Sequence, residues 1–493
     1  MALSLGACRE GPALQVLGDT TRLEAGEPSP ARSPFFDGNE VRLRGARGET
    51  LGFSIRTADD KNRRVTLELS VENVGIQAFA VRSLEVEEPS TEMYGASLGR
   101  GRYPDVLVPA AGGVETSELA FFDVAIGQSA RPGRYRGTLQ LGERTLPVVL
   151  DVSRARIDLH PEPLVWVFYL PKEIARVHGL PEDDGPALLA KEREYYELFR
   201  AHGALLATNL RPSRFPPRKQ FMKDVRYWPV SIDIASEDSI ARDVRTWLDY
   251  FRGTGVTPFT IPIDEPHTQE QKERTRAVAE AIGRAGGGRP ALLRAVTARK
   301  EPVYGDQIDL YFSPDNIPDA AKSSAASGER FWTYNGRPPQ AGSMILDTDG
   351  TALRTWGWIA ERYDIELWYA WEGLYFSDRY NRGGETDVML DPITFDERSR
   401  GGEDWGNGDG LLVYPGPLPS LRLKALRRGL QDRLLVRKLE SCGGGAAARE
   451  IVAEMMPRAL AAAKGKPSWS KDEVVWERAR AALLEKIEGA CRD

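Results

Sequence analysis

The chain has 493 residues, 41% of them hydrophobic and 28% charged, enough to bury two or three separate cores. Its formal net charge is −6 and its Lys and Arg residues are spread among acids, which argues against a nucleic-acid surface and for a neutral or polar substrate. Three cysteines, Cys8, Cys442 and Cys491, form no C-x-x-C pair and no framework, and the four histidines are dispersed, so no metal site or cofactor is expected.

No apolar run approaches the ~18 residues that a membrane-spanning helix requires. Leu5-Gly6-Ala7-Cys8 matches a bacterial lipobox, in which Cys8 is lipidated after export, and residues 1–34 read as an N-terminal tether. The stretch before Cys8 is shorter than the basic and apolar regions of a signal peptide. Two readings therefore stand: an exported, lipid-anchored protein, or a cytoplasmic one with a frayed terminus.

Residues 35–155 have period two. Val65, Leu67, Leu69 and Val71 alternate with Thr66, Glu68 and Ser70, as a strand with one buried face does. Val41 and Leu43 repeat the pattern, as do Tyr135, Leu139 and Leu141 after the Pro132-Gly133 turn. Short strands divided by turn signals predict an antiparallel β-sandwich. Gly95-Ala96-Ser97-Leu98-Gly99 has the form of a serine-hydrolase elbow, but Arg100-Gly101-Arg102 follows where that elbow requires a helix, so it is read as a loop.

Over residues 156–418 strands alternate with helices. Strands are expected at 164–170, 204–210, 230–234, 257–263, 291–296, 308–313, 330–334 and 365–371. One intervening helix buries Leu188, Tyr195, Tyr196 and Phe199; another places Ile240, Val244, Trp247, Leu248 and Phe251 along one face. This alternation predicts a (β/α)8 TIM-like barrel, with a doubly wound open sheet as the competing fold. The open sheet lacks its signature, because no strand leads into a dinucleotide fingerprint.

The fourth of these strands ends in Ile263-Asp264-Glu265-Pro266, and a capping box from Thr268 to Gln271 opens the next helix. Asp264 and Glu265 then lie at a strand's carboxyl end, where a parallel barrel carries its active site and where neighbouring acids can divide acid and base work. Downstream, Trp332, Trp356, Trp358, Trp368 and Trp371 crowd together with Tyr334, Tyr369 and Tyr375. Aromatic faces stack on sugar rings but also fill cores. Trp332, Tyr334, Trp368 and Trp371 approach strand ends and are the candidates for binding sugar, with Asn335 and Glu372 just beyond to bond its hydroxyls. Asp347-Thr348-Asp349-Gly350 has a calcium-loop look, yet Trp356 stands where the bidentate Glu belongs.

Residues 383–410, rich in Gly, Asp and Glu, are expected to be a long connection forming a rim or lid over the site. Residues 419–493 are expected to be helical: a basic helix at 420–439 with Leu423, Leu426 and Leu430 inward, then helices near 446–463 and 471–488.

Together, several motifs resemble glycoside hydrolase family 123 and its many bacterial relatives. They are Arg102-Tyr103-Pro104-Asp105-Val106-Leu107-Val108-Pro109, Pro132-Gly133-Arg134-Tyr135-Arg136-Gly137, the Asp264-Glu265-Pro266 turn, and Leu412-Val413-Tyr414-Pro415-Gly416 followed by Ser420-Leu421-Arg422-Leu423. The resemblance runs from about residue 41 to 432. It implies an N-terminal sandwich, a catalytic barrel, and hydrolysis of β-linked N-acetylgalactosamine in which the substrate's acetamido group assists. In that scheme Asp264 holds the acetamido N–H and Glu265 protonates the leaving oxygen, with configuration retained and no covalent bond to protein. Two other readings remain: a retaining glycosidase pairing Glu265 with Glu372 as nucleophile, and a glycan-binding surface protein without turnover.

Overall fold

Period-two patterning builds the first domain. The computed structural model describes residues 14–22, 33–57, 63–116, 119–160, 163–315, 317, 328–376, 387–398 and 401–491; Cys8 and part of the expected rim lie outside them. One five-stranded sheet runs in the order Leu14–Gly18, Thr50–Thr57, Leu119–Ile126, Val74–Val86, Gly101–Pro109. A second runs Val41–Arg47, Arg144–Arg156, Gly133–Leu141, Arg63–Glu68, Val114–Thr116. Their shared core contains Phe53, Val65, Phe122, Leu139 and Leu150. Two expectations need correction. Val41–Arg47 pairs in parallel with Arg144–Arg156, so the sandwich is not wholly antiparallel. Leu14–Gly18, expected to be tether, is an edge strand, because the Glu473 carboxylate accepts from the Gly18 and Thr20 amides at 3.1 and 3.0 Å.

Eight parallel strands form the second domain: Val165–Val167, Ala204–Leu206, Tyr227–Pro229, Thr257–Thr260, Leu293–Val296, Leu310–Phe312, Arg330–Tyr334 and Trp368–Ala370. The last pairs back onto the first, as in a barrel. The expected closed ring is not complete, however: among the described residues no ladder joins the second strand to the third, and the gap is spanned by the Ser231 amide donating to the Leu210 carbonyl at 3.1 Å and by an Arg211–Asp233 ion pair at 3.3 Å. Between them Pro212, Pro216 and Pro217 open short 3-10 turns instead of a full helix, since proline lacks the N–H that propagates one. The third strand also lies upstream of the expected 230–234, ending at Pro229. Both amphipathic helices form as patterned, Pro186–Ala201 and Glu237–Phe251.

Helix Leu421–Leu439 joins everything. It was expected to bury one leucine face; instead Arg422, Lys424, Arg427, Arg428 and Arg433 are buried as well. Each cation has an acid. Arg422 bonds Asp105 at 2.9 Å, and Lys424 and Arg427 share Asp123 at 2.6 and 2.5 Å, all on sandwich strands. Arg428 meets Glu477 of helix Glu473–Ala490 at 2.6 Å, and the helix's own Asp432 accepts from Arg354 of the barrel at 2.7 Å. Burial alone would raise the Asp105 carboxyl, but Arg422 and Arg22 outweigh it and hold the group below its usual range. Cys442 and Cys491, whose spacing was read as showing no framework, form a disulfide across a sequence separation of 49 residues. No helix among the described residues is long and apolar enough to cross a membrane.

Removing one partner of a buried ion pair strands the other in low dielectric, at a cost of about 3–5 kcal/mol, whereas replacing both by apolar residues is far milder. Arg422→Met should therefore lower unfolding stability by that amount, and adding Asp105→Leu should recover part of the loss. Strictly additive losses in denaturant melts would contradict the pairing.

Candidate active site

The fourth barrel strand stops at Thr260, not at Ile263 as expected, because Pro262 has no N–H to continue the ladder. Bends at 262–265 follow the strand, and Thr268 caps helix Gln269–Arg284 through the expected box. Glu265 takes a left-handed conformation, φ 43°, uncommon for a side chain of its kind. Thr297, first residue after the fifth strand, holds that shape. Its hydroxyl donates to Asp264 Oδ1 at 2.5 Å and accepts the Glu265 amide at 2.7 Å, so one side chain fixes both acids.

The two carboxylates have different surroundings. Burial raises the Asp264 carboxyl above its usual range; the Thr297 hydrogen bond opposes that rise and the Glu265 charge adds to it. Glu265, with 47% of its side chain exposed, accepts from the Tyr334 hydroxyl at 2.7 Å, and His267 Nε2 stands 3.8 Å from its other oxygen. Tyr334 ends the seventh strand. Burial and then the Glu265 bond push its own phenol far above the ordinary value, so it stays a proton donor. Behind it Tyr369 stacks at 6.3 Å between ring centres, and Trp166 stacks on Tyr369 at 4.3 Å, giving an aromatic floor. Burial, then the nearby Asp264 charge, raises the Tyr369 phenol.

The remaining candidates separate. Asn335, also left-handed at φ 48°, is a brace: its carbonyl accepts from Trp368 Nε1 at 2.8 Å and its Oδ1 from the Trp371 amide at 2.9 Å. Trp371 is half-buried, and its indole N–H is held by Asp409 at 3.1 Å. Burial pushes the Asp409 carboxyl up to about 7, against that hydrogen bond. Glu372 is fully buried, close enough for its charge to act on Tyr369. Trp332 and Trp368, expected to bind sugar, are instead core. Trp332 packs on Tyr227, Phe259 and Phe312 inside the barrel, and Trp368 stacks outward on Trp356 at 4.8 Å. Asp347 is buried too, accepting from Ser90 and Ser97 of the first domain.

Sequence reasoning missed Thr297 and Asp409, and named Tyr369 without giving it a place in the site. Thr297 had a usable signal, its place one residue past a strand end, and Tyr369 another, as the alternate-face neighbour of Trp368.

Because the Thr297 hydrogen bond favours the charged form of Asp264, its removal should raise the Asp264 pKa further. Carboxyl carbon NMR should show Asp264 titrating above the ordinary aspartate range, and higher still in Thr297→Val. A lower value in that variant would contradict the geometry.

Residues 256–439 match the glycoside hydrolase 123 catalytic domain. Along its length the fold is similar to a family 123 glycoside hydrolase from Clostridium perfringens, analysed for glycolipid glycan hydrolysis: TM-score 0.66, 12% identity, covering 97% of this chain and 98% of that one. A family 2 glycosyl hydrolase from Bacteroides cellulosilyticus aligns at TM-score 0.27 and 8% identity, over 66% of this chain and 44% of that one. A β-glucuronidase from Bacteroides uniformis aligns at 0.26 and 11%, over 76% and 48%. Neither of these two bears on the fold. No curated protein matches the chain. The matched segment begins one residue before the strand that leads to Asp264 and ends with the buried basic helix, so residues 256–439 of this chain are similar to the glycoside hydrolase 123 catalytic domain.

Proposed function

We propose that the protein removes β-linked 2-acetamido sugars, with N-acetylgalactosamine the best fit, by a retaining mechanism in which the substrate's own acetamido group is the nucleophile. The carrying observation is the unequal pair: Asp264 braced and with its carboxyl raised, Glu265 beside it with one oxygen held by Tyr334. In the first step the acetamido oxygen attacks the anomeric carbon while the glycosidic C–O bond breaks. Glu265 gives its proton to the departing oxygen, and Asp264 accepts the acetamido N–H as positive charge grows there, leaving an oxazolinium ion. In the second step Glu265 takes a proton from water, whose oxygen attacks the same carbon and reopens the ring with retained configuration.

The braced geometry suits these roles. Asp264 is turned by Thr297 and cannot swing away, as a group that must hold a bent acetamido arm requires. Tyr334 occupies Glu265 Oε1 and leaves Oε2 for the leaving oxygen. The half-buried Trp371, its indole fixed by Asp409, offers a face for the sugar ring. The similarity to an enzyme acting on glycolipid glycans supports a glycoconjugate substrate.

The two acids should fail differently when replaced. Glu265→Gln removes the proton donor, so a substrate with a poor leaving group should slow by at least ~100-fold and an activated aryl glycoside by less in its first step. Asp264→Asn keeps the donor but loosens the acetamido arm, so both substrates should slow and a thiazoline mimic of the cyclised intermediate should bind less tightly. Equal behaviour of the two variants on both substrates would contradict the division of labour.

A further inference from the structure

A cavity of about 240 Å³ lies at the open seam of the barrel, walled by Leu205 of the second strand, Tyr227 of the third, and Arg433 and Arg437 of helix Leu421–Leu439. It sits at the strands' amino ends. Tyr227 begins the third strand, and Leu367, also in the wall, immediately precedes the eighth. Asp264 and Glu265 follow the carboxyl end of the fourth strand and Tyr334 ends the seventh, so the cavity and the candidate active site occupy opposite ends of the barrel.

Cations outnumber acids around this cavity. Arg226, Arg433 and Arg437 line it against Asp364 and Glu366, a surplus of one positive charge. Counting the residues paired with them does not remove that surplus, because each further acid is shared: Glu366 bonds Arg226 at 2.7 Å and Arg330 as well, and Glu361 stands 2.6 Å from both Arg433 and Arg437. Only Arg437 makes an aligned hydrogen bond to Glu361. Arg433, with 7% of its side chain exposed, donates no hydrogen bond among the described residues, and its Nε is buried without an acceptor. Burial lowers its guanidinium to about 10 against the Glu361 charge, which still leaves a cation at neutral pH. A guanidinium carries five donors, and burying one with those donors unmet is costly.

We propose that this cavity is a binding site for a small oxyanion such as inorganic phosphate, held by Arg433 and Arg437 at the open seam of the barrel. An oxyanion offers guanidinium forks the paired acceptor oxygens they fit best, and its charge offsets the surplus in the wall. It also fills a structural gap. The second and third strands share no ladder, and an anion in contact with both their ends and helix Leu421–Leu439 ties them together only when the barrel is folded, so its binding stabilises the native state. The inference is independent of the glycosidase reading, since neither Asp264 nor Glu265 takes part.

Calorimetric titration of inorganic phosphate into the full chain, in chloride buffer of fixed ionic strength, tests the site. The unmutated protein should bind phosphate saturably, and its unfolding midpoint should rise with phosphate but not with chloride at equal ionic strength. Arg437→Gln, at a position with 43% of the side chain exposed, should weaken binding about 10-fold, the scale of one charge-assisted hydrogen bond, and Arg433→Gln at least as much. Asp364→Asn should act in the opposite direction. It removes an acid from the wall, and asparagine tolerates the left-handed backbone there, φ 53°, so phosphate should bind about 3- to 10-fold more tightly. If Arg433→Gln does not fold, the opposed effects of Arg437→Gln and Asp364→Asn decide. Absence of saturable binding, equal binding by the unmutated protein and these two variants, or weaker binding by Asp364→Asn overturns the inference.

Discussion

The buried contact between Asp105 and Arg422 is the constraint on which the rest of the molecule depends. Desolvating both ions costs several kcal/mol each, and mutual attraction offsets that only when the remaining hydrogen-bonding sites are filled. Here they are. Asp105 also accepts from the Tyr414 hydroxyl at 2.6 Å, and Arg422 gives one amino group to the Met344 and Gly408 carbonyls at 2.7 and 2.5 Å. Those carbonyls bring the contact to the active site: Gly408 precedes Asp409, Asp409 holds the Trp371 indole, and the Trp371 amide is held in turn by Asn335. A single guanidinium thus binds sandwich to helix and the helix to the wall of the candidate sugar site. The sequence segments that carry the family resemblance include Asp105, Tyr414 and Arg422, which converge on this interface and not on the reacting groups.

The acid pair shows the same economy on a smaller scale. Thr297 supplies one hydroxyl to two neighbours, accepting from the Glu265 amide and donating to Asp264, so the peptide and the carboxylate cannot move independently. Two non-glycine residues of the site, Glu265 and Asn335, adopt left-handed conformations. Such conformations persist where surrounding structure over-determines them. Each is held here by a bond to its own backbone: Thr297 takes the Glu265 amide, and the Tyr369 carbonyl takes the Asn335 amide at 2.7 Å.

Strand positions were legible because short apolar runs between turns are a strong local signal, and each of the eight barrel strands was anticipated within a few residues. Which side of a strand faced the site was not. Strands of a parallel barrel are buried on both faces, so hydrophobicity does not tell inside from outside; that is why Trp368 was chosen where its neighbour Tyr369 belongs. The basic helix misled for a related reason, since paired cations can be buried and its pairing acids lie as far away as Asp105 and Asp123. Asp264 and Glu265 could be picked out because a strand, a proline and a helix cap fix their place locally. Asp409 could not, because the Trp371 indole that it holds lies 38 positions away.

The central claim is that the nucleophile comes from the substrate and that the protein's two acids serve it. Steady-state rates on a matched pair of β-aryl glycosides, one bearing a 2-acetamido group and the other a 2-hydroxyl, test this most directly. The account predicts turnover of the acetamido sugar with retained configuration and none of the hydroxyl sugar. Comparable cleavage of both, with a fluorinated sugar trapped covalently on Glu372, would contradict it.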